Sequence, residues 1–534
     1  MMLDLQNLPH GCQLQADLCI VGAGIAGLVL ADALSDSGLE ILVLEAGGAS
    51  SEHDSQSLVA AEMAACHHSG STEGRFRVLG GSSTRWGGQL LPLPSHDFAV
   101  RPQVPQSGWP LDADALRPYL RRIETLMGVN QLPYDETLGR HLGRSCPRLS
   151  CPGLQLRFSK WAPFGRRNLG RSLGRRLAAH PRVRLVLHAN VTRLMLGSEV
   201  ADTSGDGNDR VEAVVARSLL GHRCTVQARR VVVCCGTIET VRLLLASGSR
   251  HRGGIGNDTD LLGRYFHDHL SVPVCRLEGT ARRFGLRHLA PWYRGRTRHS
   301  AKLEARADWQ QREGCLNSLA HLVMDTPAGG SLAWARQWLQ HRQQGQPHAA
   351  ATAFPWRALP ADGIDLLQLA YQRGLRGRRW SPRSAALLLC IDCEQAPSPA
   401  SRIALSSQRN VLAEPLAQVA WRWGEPERHT IESFARLVDR QWQQWGLGPL
   451  RLAPEWPRTV RDTFHPMGGT RMGLTPRSGV VDGQLQLHGV RNLYIASCSV
   501  FPTGGSSNPT LTLMALCLRL AEHLRHSDRA SQQP

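Results

Sequence analysis

The chain has 534 residues, of which 42% are hydrophobic and 20% are charged, so it can bury a sizeable core and is not predicted to be disordered. Its formal net charge is +18, but its only lysines are Lys160 and Lys302, and its arginines are spread along the chain without a stripe of interleaved aromatic residues. We therefore expect a solvated basic surface and no nucleic-acid partner.

Targeting and redox signals are few. The N-terminus has no basic region followed by an apolar one, and no stretch reaches the roughly 18 apolar residues of a membrane span, so we expect a cytoplasmic protein. The 14 cysteines lie mostly in apolar company, which is typical of buried free thiols. Cys390 and Cys393 form a lone CxxC pair. Because a metal site would need a second such pair, we favour structural thiols and expect no metal.

The first motif is a strand, a glycine turn, a helix and a second strand between Ala16 and Gly47. Apolar runs at Leu18–Val21 and Ile41–Leu44 predict the strands. The glycines allow a tight turn, close approach of the backbone to a pyrophosphate, and packing of helix on strand, while Glu45 is spaced to bind an adenosine ribose. The pattern predicts a dinucleotide site without distinguishing FAD from NAD. Its glycines are Gly22, Gly24 and Gly27.

A second glycine cluster reads GGSSTRWGGQ from Gly80 to Gln89. Its first residues are small or hydroxylic and cannot build a core element. On composition alone, they either wrap a phosphate or a ring with backbone N–H groups and hydroxyls, or form a flexible loop. These residues are Gly80, Gly81, Ser82 and Ser83.

The C-terminal part combines a histidine loop with a capped helix. Phe464–Gly473 reads FHPMGGTRMG, which predicts an irregular loop around His465. Downstream, Asn508 fits a helix cap and Pro509 the first helical position of an apolar helix. Histidine suits proton transfer because its ordinary pKa lies near working pH, and a helix N-terminus favours negative charge. A lone loop histidine is otherwise usually a packing residue.

These motifs, in this order, resemble the glucose-methanol-choline (GMC) family of flavin oxidoreductases over most of the chain. Arg230–Leu245, RVVVCCGTIETVRLLL, resembles the strand, glycine turn and helix beside the cofactor. Val183–Leu194 resembles the strand that meets the adenine. The sequence motif around Asn508, Gly-x-x-Asn-Pro-Thr-Leu-Thr, is similar to that of the sugar-oxidising branch that includes pyranose oxidases. The cofactor-binding residues that the motifs and the resemblance imply are Gly22, Gly24, Gly27, Glu45, Gly80, Gly81, Ser82, Ser83, Val191, Gly236, Ser497, Pro509 and Thr510.

The resemblance implies that the chain oxidises an alcohol, sugar-like or polyol in character, by hydride transfer to flavin N5. His465 would be the base, and Asn508 would hold the substrate oxygen. Some family members bond the flavin covalently through a histidine near the second glycine cluster. The nearest match here is Arg85, so we expect non-covalent FAD. Ser497 stands where the family usually has an aspartate beside the flavin tail, so its hydroxyl would replace one hydrogen bond of that carboxylate.

The expected fold is α/β: a doubly wound, Rossmann-like FAD domain intertwined with an α+β substrate domain built on a mixed sheet. The FAD domain would gather residues 1–110, 176–275 and 456–534. The substrate domain would span 276–455, with a helical, lid-like excursion at 111–175. We expect a hairpin tip or loop at 198–210 and substrate recognition within 336–379.

Two other functions stay open. The same fold could serve a flavin-dependent reductase or isomerase. A different class would be a basic nucleic-acid-binding protein with a vestigial nucleotide fold. The electron acceptor, the individual substrate and the oligomeric state have no signature in the sequence.

Overall fold

The computed structural model describes residues 1–142, 147–197, 209–247, 253–325, 331–344, 363–364, 367–369, 371–372, 377 and 385–532. The loop expected at 198–210 lies outside these ranges except for its last two residues, and so does much of the recognition segment 336–379. Within the described ranges, every helix is too short or too polar to cross a membrane.

Strands and helices alternate irregularly along the chain. The strands are β1 (Met2–Asp4), β2 (Cys12–Val21), β3 (Ile41–Leu44), β4 (Ala61–Met63), β5 (Gln89–Leu90), β6 (Leu154–Trp161), β7 (Val183–Leu187), β8 (Asn190–Leu196), β9 (Val211–Arg217), β10 (Arg223–Val233), β11 (Leu270–Arg276), β12 (Trp292–Arg294), β13 (Thr297–Ala305), β14 (Ser318–Asp325), β15 (Ala386–Cys393), β16 (Arg402–Arg409), β17 (Pro415–Ala420), β18 (Arg461–Asp462) and β19 (Leu493–Ile495). The helices are α1 (Ile25–Leu34), α2 (His53–Ser57), α3 (Arg117–Met127), α4 (Thr137–His141), α5 (Phe164–Arg167), α6 (Arg175–Ala179), α7 (Gly236–Ala246), α8 (Gly279–Phe284), α9 (Ala307–Glu313), α10 (Ser331–Gln344), α11 (Glu425–Gln444) and α12 (Thr510–Gln532).

The first sheet carries the amino-terminal motif. Its strand order is β1-β7-β3-β2-β10-β9-β8, and β19 pairs with β10. The pairs from β1 to β10, and the pair of β10 with β19, are parallel, whereas β9 and β8 are antiparallel. Every residue of β3 is buried, as is typical of parallel strands covered on both faces. The doubly wound α/β class is confirmed, and the carboxyl ends of β2, β3, β10 and β19 meet at one edge.

Two glycines of the first motif are needed for close packing. Gly22 has a φ of +101°, and a Cβ there would lie 2.8 Å from the carbonyl oxygen of Cys234 at the end of β10. A Cβ on Gly27 would lie 2.0 Å from the carbonyl oxygen of Gly22. Side chains at either position would push α1 away from the sheet, which is why glycine is required there.

The second sheet has the order β18-β11-β15-β14-β13-β6-β5, with β12 paired to β13. Its described pairs are all antiparallel, so the main sheet of the predicted substrate domain is not the expected mixed sheet; parallel and antiparallel pairs occur together in the first sheet and in a small third sheet. One face packs against α11 in a separate apolar core that includes Leu303, Leu389 and Phe434. The other face is polar but also covered, because Lys302 and Glu304 are buried and Glu304 accepts from Ser506 of the C-terminal part of the chain.

The second sheet collects its strands from distant parts of the chain. Residues 111–175, predicted as a helical excursion, contain α3 and α4 but also β6, which pairs with β13. The short strand β18 pairs with β11 at the sheet edge. A small third sheet, β16-β17-β4, lies beside α7. The predicted domain limits therefore stay a prediction, because the second and third sheets include strands from outside the predicted substrate domain.

Candidate active site

A cavity lies at the carboxyl edge of the first sheet, where the two glycine motifs and the histidine loop converge. Helices α1, α7 and α12 all begin at this cavity, so their free N–H groups and positive dipole ends face it. The sequence-predicted residues that line it are Gly22, Gly24, Glu45, Gly81, Ser82, Val191, Gly236, His465, Ser497, Pro509 and Thr510.

Three further predicted residues support the cavity wall from behind. Gly27 packs α1 against the turn. Gly80 has a φ of +101°, and its N–H donates to the carbonyl of Ala23 at 2.9 Å. Ser83 donates from Oγ to the carbonyl of Gly80 at 2.5 Å and accepts from the N–H of Leu169 at 3.0 Å. These residues shape the loop, and the polar groups of Ser83 are already occupied within the protein.

The cavity fits a dinucleotide. A Cβ built on Gly24 would meet nothing within 4 Å, and no side chain caps the start of α1, so a phosphate has access to the helix N-terminus. Glu45 is 6% exposed and accepts from the N–H groups of Ala23 at 2.8 Å and Gly47 at 3.0 Å. Each carboxylate oxygen keeps a lone pair for a ribose hydroxyl. Burial raises the pKa of Glu45 to about 7.

A buried ionic cluster on the cavity wall was not predicted from the sequence. Glu239, in the first turn of α7, contacts Arg75 at 2.9 Å, Arg77 at 2.8 Å and Arg242 at 2.9 Å. Burial opposes its charge, but the three arginines outweigh burial and hold the pKa of Glu239 far below its usual range. Arg242 also lies 3.5 Å from Glu414, so three cations face two carboxylates. The cluster places three guanidinium groups on the wall of the cavity. Its sequence signal was the alternation of arginines just before the second glycine cluster.

His465 and Asn508 are brought together as predicted. Asn508 Nδ2 lies 3.0 Å from His465 Nε2. Helix α12 begins at Thr510, and the carbonyl of Pro509 accepts from the N–H of Leu513 at 2.9 Å. The expected helix start is therefore shifted by one residue, because Pro509 occupies the capping position. The side chain of Asn508 is directed to the histidine.

The hydrogen-bond network assigns the tautomer of His465. Thr463 Oγ1 donates to Asp268 Oδ1 at 2.9 Å, so its single proton is used there. The hydroxyl oxygen must then accept from His465 Nδ1, 2.7 Å away. His465 consequently carries its proton on Nδ1 and presents the lone pair of Nε2 to Asn508 and the cavity. A general base needs this tautomer.

Asp268 anchors this network and was not predicted from the sequence. It is fully buried and accepts from the backbone N–H groups of His269 at 2.6 Å and His465 at 2.7 Å, in addition to Thr463. His68 Nε2 lies 3.2 Å from Asp268 Oδ2. Burial works against ionisation, but the bond from His68 and the nearby histidines lower the pKa of Asp268 to about 2. The carboxylate stays charged and fixes the histidine loop.

A second histidine, His269, adjoins the first. Its Nδ1 lies 3.1 Å from His465 Nδ1, and its Nε2 lies 3.3 Å from the carbonyl of Gly504. Burial, and then the proximity of His269, lower the pKa of His465 to about 4, partly opposed by Asp268. His465 is therefore neutral at ordinary pH, with its base form populated.

Two buried ion pairs hold the loop that leads to Asn508. Arg157 contacts Glu304 at 3.0 Å, and Ser506 donates from Oγ to the same carboxylate oxygen at 3.2 Å. Arg101 binds Glu394 through both guanidinium NH2 groups, at 2.7 and 2.6 Å, and Glu394 accepts from the N–H of Gly505 at 3.0 Å. The second sheet thus positions the residue that faces His465.

Neither member of the cysteine pair lines the cavity. Cys390 and Cys393 lie three residues apart on β15, so their side chains point to opposite faces of the second sheet. Cys390 pairs with His321 on the polar face, whereas Cys393 pairs with Ser318 further along β14. Both are free thiols, and burial raises the pKa of each.

Comparison with known proteins gives the family. Models of the GMC oxidoreductases match residues 20–271 and 397–517. Paromamine 6'-oxidase of Streptomyces fradiae is 24% identical, with 95% of this chain and 90% of that protein covered. A long-chain-alcohol oxidase of Arabidopsis thaliana is 21% identical, with 96% and 67% covered.

A solved structure of formate oxidase from Aspergillus oryzae superposes with a TM-score of 0.55 at 17% identity, covering 98% of this chain and 100% of that one. This likeness concerns the fold. Together, the family models and the relatives confirm the predicted family, fold class and cofactor, while the narrower placement in the sugar-oxidising branch stays a prediction. The chain belongs to the GMC oxidoreductase family and is an FAD-dependent oxidoreductase that acts on CH–OH groups.

Proposed function

We propose that the chain oxidises an alcohol group of a small sugar-like or polyol molecule and that His465 is the general base. The observation that carries this proposal is the unprotonated His465 Nε2, which accepts from Asn508 Nδ2 at 3.0 Å at a cavity lined by both glycine motifs. A substrate hydroxyl that replaces this bond can donate to the histidine and accept from the amide. This is the arrangement that general-base catalysis requires.

The surrounding residues support this proton transfer. Asp268 and Thr463 keep the imidazole in the Nδ1–H tautomer, so its basic nitrogen faces the substrate. The nearby charge of Asp268 favours the positive charge that develops on the ring, whereas burial and the neighbouring His269 keep the ring neutral before the reaction. FAD, when bound, supplies the acceptor for the hydride that leaves the alcohol carbon. The N-terminus of α12 lines the same cavity and favours negative charge there.

We further propose that FAD is held without a covalent bond. Among the described residues, His465 is the one histidine that lines the cavity. Arg85, the nearest match to the attachment position, stacks over the ring of Phe76 at 4.5 Å. His68 is bonded to Ser71 and Asp268. Acid precipitation should therefore release all the flavin into the supernatant. Colour that stays with the precipitated protein would contradict the proposal.

Support for the substrate class comes from the relatives and from the electrostatics of the site. The relative from Streptomyces fradiae is named for oxidation of paromamine, and the plant relative for oxidation of long-chain alcohols. The buried charged groups around Asn508 make a polar lining more compatible with the first kind of substrate than with an alkyl chain.

Anaerobic flavin bleaching tests the proposed function. The purified protein should show a flavin absorbance band, and a sugar or polyol should bleach it without oxygen. Bleaching by a reductant only, and by no alcohol in a panel of sugars, aminosugars, polyols and sterols, would favour the reductase or isomerase. A colourless protein with salt-sensitive binding to polyanions would favour the nucleic-acid-binding alternative.

A further inference from the structure

The polar face of the second sheet follows from the alternation of side chains along its strands. Glu304 pairs with Leu319, and Leu319 pairs with Asp392, so these residues share a face. Two residues away on their own strands, Lys302 and His321 lie on the same face. The polar members of this face that lie near the reaction centre are Lys302, Glu304, His321, Asp392 and Ser271.

This polar face is turned toward the reaction centre. Glu304 bonds Ser506, two residues before Asn508, and Ser271 pairs with Arg461 at the start of the histidine loop. Ser271 also pairs with Asp392, so this carboxylate lies one strand away from the residue that pairs with the start of the histidine loop. A substrate that extends from His465 along this face would meet Asp392 first and Lys302 two strands further on.

Lys302 is a buried amine without a hydrogen-bond partner. It is 5% exposed, and no described residue accepts a hydrogen bond from its Nζ. Burial lowers the pKa of Lys302 to about 8, partly opposed by the charge of Asp392. The other lysine differs, because Lys160 on the opposite face contacts Glu124 at 2.5 Å. An unsatisfied buried ammonium is costly unless a ligand completes it.

Asp392 supplies an acceptor on the same face, two strands away from Lys302. Its Oδ2 lies 2.8 Å from His321 Nε2, while no described residue donates to its buried Oδ1 in good hydrogen-bond geometry. Burial works against ionisation, but His321, Lys302 and the nearby Ser271 hydroxyl outweigh it and hold the pKa of Asp392 well below the usual range. The carboxylate is therefore charged and has one oxygen available.

We propose that Lys302 and Asp392 form a substrate subsite that binds the hydroxyl groups of a neutral polyol. This inference rests on the proposed function. One hydroxyl of a polyol can accept from the lysine and another can donate to the aspartate, so a single molecule satisfies both groups. A carboxylate would complete Lys302 but would be repelled by Asp392. An ammonium would do the reverse. A plain alkyl chain would leave both groups desolvated and unpaired.

Four six-carbon probes that differ in their end group or hydroxyl content test this subsite: D-glucitol, D-gluconate, D-glucamine and 1-hexanol. The measured quantity is the second-order rate constant of anaerobic flavin reduction, which is the limiting reduction rate divided by the substrate Kd. The wild-type protein should prefer glucitol to the other three. Lys302→Met should lower the glucitol-to-hexanol ratio about tenfold, as expected for loss of one charged hydrogen bond.

The charged probes give opposite expectations for the two variants. Lys302→Met should raise the glucamine-to-gluconate ratio, and Asp392→Asn should lower it. Arg306→Met and Asp325→Asn are matched controls, because both residues are exposed at strand ends of the same sheet, and they should leave the ratios unchanged. As a readout apart from activity, the Kd of glucitol for the flavin-loaded His465→Ala protein should rise about tenfold when Lys302→Met is added.

The outcomes separate the two proposals. If glucitol bleaches the flavin but neither substitution changes the ratios, the subsite is wrong and the proposed function stands. If only a hydrophobic alcohol bleaches the flavin, the subsite is again wrong. If no alcohol bleaches the flavin of a yellow protein, the proposed function itself fails. Should Lys302→Met not fold, Asp392→Asn alone decides by the direction of its glucamine-to-gluconate ratio.

Discussion

The two ends of the cavity are built in different ways. At the cofactor end, backbone groups predominate: the turns at Gly22 and Gly81 and the starts of three helices face the cavity. At the reaction end, side chains predominate, and they depend on one buried carboxylate, Asp268, that fixes Thr463 and His465. The cofactor end depends on glycines that let backbone segments approach each other closely. The reaction end depends on the buried charge of Asp268.

This difference predicts that the two ends fail differently. A side chain added at the cofactor end should remove the flavin, whereas a charge removed at the reaction end should leave a yellow but slow enzyme. The same contrast extends to pH, because the pKa of Glu45 is raised to about 7 and that of His465 is lowered to about 4.

The largest effect is expected for Gly22→Ala. The new Cβ would lie 2.8 Å from the carbonyl oxygen of Cys234, at a φ of +101°. Since a backbone atom cannot move aside cheaply, the turn must open and the protein should purify without flavin. The flavin-to-protein absorbance ratio measures this. Gly221→Ala is the control, because Gly221 has a φ of +85° but open space around it. Full flavin content in Gly22→Ala would contradict the claim that flavin binding depends on close backbone packing at this turn.

Asp268→Asn should leave flavin bound but slow its reduction by roughly 10- to 1000-fold, because His465 loses the network that orients it. Unfolding should also become easier by about 3 kcal/mol, since a buried charged acceptor is lost. Stopped-flow reduction and urea unfolding measure the two effects. Asp482→Asn is the control, because Asp482 also accepts two backbone N–H groups, those of Gln484 and Gln486. If Asp268→Asn reduced the flavin content and left the reduction rate unchanged, Asp268 would belong to the cofactor end and not to the reaction end.

The pH dependence should separate the ends further. His465 must be unprotonated to act, and burial lowers its pKa to about 4, so the rate of the loaded enzyme is full above this pH and falls below it. Glu45 accepts hydrogen bonds best when ionised, and burial raises its pKa to about 7, so FAD affinity weakens as pH falls through that value. A pH-jump in stopped flow and FAD titration of the apoprotein give the two curves. If the reduction rate and the FAD affinity changed with the same midpoint pH, the two effects would not come from His465 and Glu45 separately.

The smallest effect is expected for Ser497→Ala. Ser497 Oγ accepts from the N–H of Ser499 at 3.1 Å and lines the cavity where the family usually has an aspartate. Loss of one neutral hydrogen bond should weaken FAD binding by about 1 kcal/mol, or about fivefold in Kd. Titration of the apoprotein with FAD measures this. A hundredfold loss would mean that the serine carries the contact by itself.

The cofactor end could be predicted from the sequence because its parts are local. Gly22, Gly24 and Glu45 lie within one strand-turn-helix-strand unit, and their spacing follows from the geometry of that unit. His465 and Asn508 were also predicted, through motifs that resemble a known family, and the structure brings the two side chains together. The shift of the helix start past Pro509 shows the ordinary limit of sequence-based boundaries.

The residues around the reaction centre could not be found in this way. Asp268 and His269 reach His465 only because β11 and β18 are neighbours in the second sheet, a pairing across nearly 200 residues. Lys302 and Asp392 share a face only through the register of three strands, in which Leu319 pairs with both Glu304 and Asp392. No local spacing encodes such contacts, so each looks like an isolated polar residue in the sequence.

The most direct test of the account compares flavin reduction in wild-type and His465→Ala proteins, both fully loaded with FAD, with a bleaching polyol as substrate. Removal of the general base should slow reduction by roughly 100- to 10,000-fold at unchanged flavin content. The exposed His67→Ala variant should behave like the wild type. A His465→Ala protein that is reduced within twofold of the wild-type rate would contradict the central claim that this imidazole accepts the proton.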